Sequence, residues 1–185
     1  MRKLHGFSAN CSGSALVWRA YNLWAMTKKL DKTNAMRILA AAKLPHELYT
    51  YDCEDAISGV EVAEQLNEDP DHVFKTLVAQ GKSGEHYVFM IPVAESLDLK
   101  KAAKACGEKS IAMIKSRDLL PTTGYVHGGC SPIGMKKQFE TFCDETCILF
   151  DTIIFSGGRI GTQIEMSFDD LVKVVPVTTC DLVVD

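Results

Sequence analysis

The segment Phe74-Lys75-Thr76-Leu77-Val78-Ala79-Gln80, then Gly81-Lys82-Ser83-Gly84, then His86-Tyr87-Val88-Phe89-Met90-Ile91-Pro92, decides how this chain folds. Two β-prone runs around a short glycine-containing turn predict an antiparallel hairpin. Val88 to Ile91 is apolar at consecutive positions, the pattern of a central strand buried on both faces. Side chains alternate along a strand, so Lys75 shares a face with Leu77 and Ala79, while Phe74, Thr76 and Val78 take the other. A lysine among apolar residues belongs either to the surface, its stem laid over its neighbours, or to a pocket wall. In a pocket its ammonium would hold a carbonyl, carboxylate or phosphate oxygen and stabilise a developing oxyanion.

On the N-terminal side, Thr33 to Lys43 carries Ala35, Met36, Ile38, Leu39 and Ala42 at helical spacing, with Thr33 as N-cap and Pro45 as the stop. Glu47 to Tyr51 predicts a strand. Glu61 to Leu66 predicts a short helix, ended by the turn Asn67-Glu-Asp-Pro70. On the C-terminal side, Leu97 to Cys106 reads as an amphipathic helix closed by Gly107. Ile111 to Ile114 reads as a strand, Ser116 to Leu120 as a helical turn, and Tyr125 to Met135 as a glycine-rich loop. Cys147 to Phe155 reads as a strand broken near Asp151 and Thr152, and Thr162 to Met166 as another strand. Ser167-Phe-Asp-Asp170 resembles a capping box opening a last helix through Val174. Helices and strands mix without strict βαβ alternation. The expected fold is therefore α+β (mixed α/β): a curled, mainly antiparallel, barrel-like sheet flanked by helices.

The 185 residues, 46% hydrophobic and 24% charged, fit one globular domain. A net charge of -4 and a pI near 5.7 argue against a general nucleic-acid binder, which shows a basic domain. They leave room for a protein that touches only the end of a tRNA or borrows affinity from a partner. The seven cysteines form no C-x-x-C pair, which points to free thiols in a reducing, cytoplasmic compartment. The apolar stretch from Ala15 to Met26 is interrupted by Arg19 and Asn22, too short and broken to span a bilayer. Met26-Thr-Lys-Lys-Leu-Asp-Lys32 looks like a protein start. Residues 1–26 are therefore expected to be a dispensable extension, the alternative being a helical arm docked on the body or a partner. Residues 27–185 are expected to form the functional domain.

Two further segments attract attention. In Thr123-Gly124-Tyr125-Val126-His127-Gly128-Gly129-Cys130-Ser131-Pro132-Ile133-Gly134, adjacent glycines permit close backbone approach, and exposed N–H groups there would cradle an anion or an oxyanion. A tight structural turn explains the glycines equally well. Lys136 and Lys137 follow, facing a phosphate or only solvent. Ser156-Gly157-Gly158-Arg159-Ile160-Gly161 is neither a dinucleotide fingerprint nor a P-loop. A hairpin turn accounts for it, with Ser156 placed to bind substrate. Nearness of His127 to Cys130 is weak evidence for a nucleophile pair. Cys143 and Cys147 lack a second pair at zinc spacing, so no metal or cofactor is expected.

Phe74-Lys75-Thr76-Leu77-Val78, Leu99-Lys-Lys-Ala-Ala-Lys104, Thr123-Gly-Tyr125, Gly128-Gly-Cys-Ser-Pro-Ile-Gly134-Met-Lys-Lys137 and Ser156-Gly-Gly-Arg-Ile-Gly161 occur in this order along the chain. In that order they resemble the YbaK/EbsC-type Cys-tRNA(Pro) deacylases, similar to the editing domain inserted in bacterial prolyl-tRNA synthetases. The resemblance runs from about Thr33 to the C-terminus. It implies trans-editing: removal of cysteine from Cys-tRNA(Pro) made in error by prolyl-tRNA synthetase, in complex with that synthetase. It implies Lys75 as the catalytic residue, with Tyr51, Thr76, Gly128 and Ser156 lining the substrate pocket and Gly129 adding a backbone N–H. Gln163 stands where some members carry an acid, and Ser58-Gly59 stands where many carry an aromatic residue. The substrate's own thiol is implied to attack its carbonyl and leave as a thiolactone. The implied partners are the tRNA(Pro) acceptor end and the synthetase, with no DNA and no membrane. The alternatives are a deacylase for another small amino acid, such as alanine on tRNA(Pro), and a non-catalytic module that binds tRNA or a synthetase.

Overall fold

A computed structural model describes residues 31–51 and 57–184. The expected extension, residues 1–26, lies outside the described residues. The order is α1 (Asn34–Ala42), β1 (Glu47–Thr50), α2 (Gly59–Leu66), β2 (Val73–Gly81), β3 (His86–Pro92), α3 (Leu99–Ala105), β4 (Ile111–Met113) and α4 (Ser116–Thr123). Then come β5 (Glu140–Asp144), a 3-10 helix (Glu145–Leu149), β6 (Ile153–Ser156), β7 (Thr162–Met166), α5 (Phe168–Leu171) and β8 (Val177–Cys180).

The hairpin of β2 and β3 is the hub of the sheet, paired antiparallel from Phe74–Pro92 to Gln80–His86. The strands run in the order β1-β7-β6-β2-β3-β5-β8, with β4 added beside β2. Three of the seven ladders are parallel, so the sheet is more mixed than expected. It also keeps two ends, at β1 and β8, instead of closing as a barrel. The β3 strand is covered on both faces, as its apolar run requires. Phe89 and Ile91 pack with Ala102 and Ala103 of α3. On the other face Met90 packs with Phe74, Phe155 and Leu39 of α1.

Local signals set the helix starts. Thr33 caps α1 by accepting from the Met36 N–H at 3.2 Å, and Lys43 closes it in the left-handed conformation. Ser58 and Glu61 form a reciprocal capping box that opens α2 two residues earlier than its apolar pattern suggests. Asp98 caps α3 through the Lys100 and Lys101 N–H groups, so that helix begins at Leu99 and not Leu97. The expected turn after Ser116 is a full helix through Thr123. The last helix stops at Leu171, short of Val174.

The expected strand from Cys147 to Phe155 does not form as one element. Asp144 accepts from the Thr146 N–H at 3.1 Å and hydroxyl at 2.7 Å, and from the Leu182 N–H at 2.9 Å. That fully satisfied, buried carboxylate starts the 3-10 helix, which leaves Ile148 67% and Leu149 76% exposed. The strand neighbouring β3 is β5 instead, parallel and buried, with polar Thr141 and Asp144 in its sequence hiding it from hydropathy alone. β8, added beyond β5, also went unpredicted.

Candidate active site

β2 has two edges. One pairs with β3 throughout, while the other is divided: β6 takes Val73 and Phe74, and β4 takes Ala79, Gln80 and Gly81. Between them, at Lys75 to Leu77, no strand is paired among the described residues. A cavity of about 250 Å³ opens over this gap. Its wall includes Lys75, Thr76 and Leu77, and also Tyr51, Ser58, Gly59, Val62, Val93, Leu119, His127, Gly128, Cys130, Ser156 and Gln163.

The registers assign these groups to faces. Val73 pairs with Ile154 and Ser156 with Gln163, so Lys75, Ser156 and Gln163 share one face of the sheet. Gln163 in turn pairs with Tyr49, which places Tyr51 on that face as well. The Gln163 amide, 6% exposed, donates to the Tyr51 hydroxyl at 3.5 Å. Thr76 lies on the opposite face with Val78, and the cavity therefore wraps around the strand edge.

The Lys75 ammonium donates to the Val93 carbonyl at 3.0 Å and the Glu95 carbonyl at 2.5 Å. Two of its three N–H groups are thus held, leaving one for a ligand. Burial pushes its pKa below the ordinary lysine value, and the Glu95 carboxylate partly opposes that. The Thr76 hydroxyl is buried with no hydrogen-bond partner. Such a group costs about 1–3 kcal/mol if nothing meets it. Thr76→Val is expected to raise stability by about 1 kcal/mol, read from the urea midpoint at constant m. A lower midpoint would mean that the hydroxyl is bonded in the folded protein.

The glycine loops meet behind the cavity. Gly128 lines it, with φ at 76°. Gly129 does not, and its N–H donates to the Val126 carbonyl at 3.1 Å. Instead it lies against the backbone of Arg159 and Ile160, where an added Cβ would sit 2.8 Å from the Arg159 Cα. The start of α1 ties both loops down: the Thr33 hydroxyl donates to the Gly157 carbonyl at 2.6 Å and the Asn34 amide to the Gly134 carbonyl at 2.7 Å. Lys136 donates to the Pro121 carbonyl, and Lys137 lies 5.1 Å over the Phe139 ring; neither lines the cavity.

Cys130 and His127 both line the cavity, but no hydrogen bond joins them. Burial pushes the Cys130 thiol up to about 12, so it is neutral near pH 7 and not a ready nucleophile. Among the described residues, no His, Cys, Asp and Glu group is arranged to hold a metal ion, and no helix is long and apolar enough to cross a membrane.

An aminoacyl-tRNA editing domain model matches residues 53–174, which contain the hairpin, both glycine loops and most of the cavity wall. The chain belongs to the aminoacyl-tRNA editing domain family. A curated protein of Enterococcus faecalis (strain ATCC 700802 / V583) is 46% identical over 144 residues, covering 77% of this chain and 88% of its own. It carries the provisional name Cys-tRNA(Pro)/Cys-tRNA(Cys) deacylase EbsC. Two crystal structures share the fold at 20% identity, each over 82% of this chain. The hypothetical protein APE2540 aligns over its whole length with a TM-score of 0.75. A provisionally assigned trans-editing enzyme for prolyl tRNA synthetase aligns over 98% of its length with a TM-score of 0.71.

In this editing domain, part of the wall was not anticipated: the start of α2, Val93, Leu119, and the placement of His127 and Cys130. The Ser58–Glu61 capping box is legible in the sequence and locates the start of α2. Gly59 is required there, because a Cβ would lie 2.5 Å from the Val93 side chain. Any larger side chain at Gly59 would have to displace Val93, which also lines the cavity. The nearness of α2 to Val93 had no sequence signal.

Proposed function

We propose that this editing domain is a trans-acting deacylase that removes cysteine from Cys-tRNA(Pro), with the substrate's own thiol as nucleophile. The observation that carries this reading is a small cavity with an anchored lysine ammonium on its wall and, among the described residues, a neutral buried thiol at Cys130 in place of an activated nucleophile. The name carried by the E. faecalis relative supports the substrate. Lys75 is the catalytic residue, and Tyr51, Thr76, Gly128, Ser156 and Gln163 contact the aminoacyl end. Gly129 acts on the site by holding the two loops together.

An aminoacyl ester is already activated, so positioning and oxyanion stabilisation suffice. The cysteine sulfur bonds to the ester carbonyl carbon, and the bond from that carbon to the ribose oxygen breaks. The thiol proton ends on the ribose oxygen. The four-membered thiolactone leaves, and water opens it to free cysteine. The acidic chain offers little counterion release on tRNA, so prolyl-tRNA synthetase is the proposed source of tRNA affinity.

The test follows amino-acid release from Cys-tRNA(Pro), Cys-tRNA(Cys) and Ala-tRNA(Pro), each with and without prolyl-tRNA synthetase. Cysteine released and alanine retained is the expected result, with the thiolactone trapped by an added amine. Alanine release at a similar rate would exclude the thiol mechanism. Release of neither, with synthetase present, would leave a binding module.

A further inference from the structure

The divided edge of β2 leaves one residue with unmatched backbone capacity. In an antiparallel pair, a residue turns both its N–H and its C=O to the same side, alternating along the strand. The Val93 N–H donates to the Val73 carbonyl at 2.8 Å, and the Gly81 N–H to the Glu85 carbonyl at 2.8 Å. Odd-numbered residues of β2 therefore face β3, and even-numbered residues face the divided edge. Phe74 meets β6 there, and the Val78 carbonyl accepts from the Ile114 N–H at 3.2 Å. Thr76 falls between, where neither neighbouring strand reaches, and it lines the cavity. Its hydroxyl has no partner either. Among the described residues no strand pairs with Thr76 on this edge, so its half-buried peptide is open to the backbone of a ligand in the cavity.

We propose that the Thr76 peptide is the subsite for the substrate's aminoacyl unit, which docks against it like a one-residue strand. The Thr76 N–H donates to the ester carbonyl oxygen, and the Thr76 carbonyl accepts from the α-ammonium. An aminoacyl ester presents the same sequence of groups as a residue in a strand: nitrogen, Cα, carbonyl. Pairing along an open sheet edge is a general mode of recognising such a unit. An oxyanion is best held by more than one donor, and Lys75 has a single N–H left. The next residue along β2 supplies the second donor from a rigid strand. This assignment rests on the deacylase reading, because it takes the bound group to be an aminoacyl ester.

Two measurements test it. In the first, Thr76 is replaced by its α-hydroxy analogue, so that the peptide N–H becomes an ester oxygen. Expected is a loss of about 100-fold in kcat on Cys-tRNA(Pro), with KM nearly unchanged. The thermal midpoint should move only slightly: this N–H belongs to no ladder, and the ester weakens the Lys75 carbonyl as an acceptor toward β3 without removing it. The same replacement at Leu77, whose N–H faces β3, should lower the midpoint. In the second, 3-mercaptopropionyl-tRNA(Pro), which lacks the α-amino group and keeps the thiol, is compared with Cys-tRNA(Pro). Each rate is divided by that ester's spontaneous hydrolysis. Expected is a loss of about tenfold or more, the scale of one hydrogen bond to a charged group. A position-76 ester within about twofold of wild type overturns the N–H assignment, and equal normalised rates overturn the carbonyl assignment. Failure of the wild-type protein to release cysteine from Cys-tRNA(Pro) overturns the deacylase reading and the subsite together.

Discussion

Lys75→Ala is expected to lower kcat/KM for deacylation by about 10²–10³-fold, the loss typical of one charged or hydrogen-bonding group at a developing oxyanion. The drop should lie in kcat, measured by single-turnover release from Cys-tRNA(Pro). Lys75→Met keeps most of the apolar stem and removes only the charge, so it should lose nearly as much activity while folding better. Alanine also leaves the Val93 and Glu95 carbonyls without their donor, which is why methionine is the cleaner test. An active Lys75→Met protein would remove the ammonium from the mechanism.

The same lysine sets a pH dependence of opposite sign for activity and stability. Burial lowers its pKa below the ordinary 10.5. Activity that needs the ammonium is complete below the folded-state pKa and falls as pH rises through it. Stability moves the other way in the window between that lowered pKa and 10.5. There the unfolded chain binds the proton and the folded chain does not, so this group's contribution rises with pH. In Lys75→Met both dependences should disappear from the pH profiles.

Gly129→Ala is expected to destabilise the fold by about 2 kcal/mol, a thermal midpoint lower by about 4–8 °C. The added Cβ would sit 2.8 Å from the Arg159 Cα, 2.9 Å from its carbonyl carbon and 2.9 Å from the Ile160 nitrogen. All three are backbone atoms, so no side-chain rotation relieves the contact and the two glycine loops must part. Gly128 and Ser156 sit on those loops, so deacylation should fall by about tenfold in the protein that remains folded. Gly107→Ala is the contrast. Gly107 has φ at 69° with open space around it, so strain alone acts, costing about 1 kcal/mol with activity retained. Equal midpoints for the two variants would mean that the loops are not in close contact.

Much of the fold was legible where one local rule dominated. The apolar run of Val88 to Ile91 announced a central strand, and Thr33 with Pro45 bounded α1. Reading failed where a polar group was buried. Asp144 is almost completely buried, yet a carboxylate in a short polar-flanked segment gives no strand signal, and β5 was missed. Ile148 and Leu149 gave the opposite error: exposed apolar side chains on a 3-10 helix look like a strand in sequence.

At the site, residue identity and order were enough to single out Lys75, the alternation of faces around it, and the two glycine segments. These depend on neighbours within a few positions, which the sequence states directly. Tertiary structure alone decided that Lys75 is held by the Val93 and Glu95 carbonyls, 18 and 20 residues away. It also made Gly129 a contact between loops, and it left Thr76 opposite a break in the sheet. That break arises because β6 and β4, from distant parts of the chain, share one edge of β2 without meeting. A strand's sequence records which side chains face which way, but its edge partners are chosen by the packing of the whole chain.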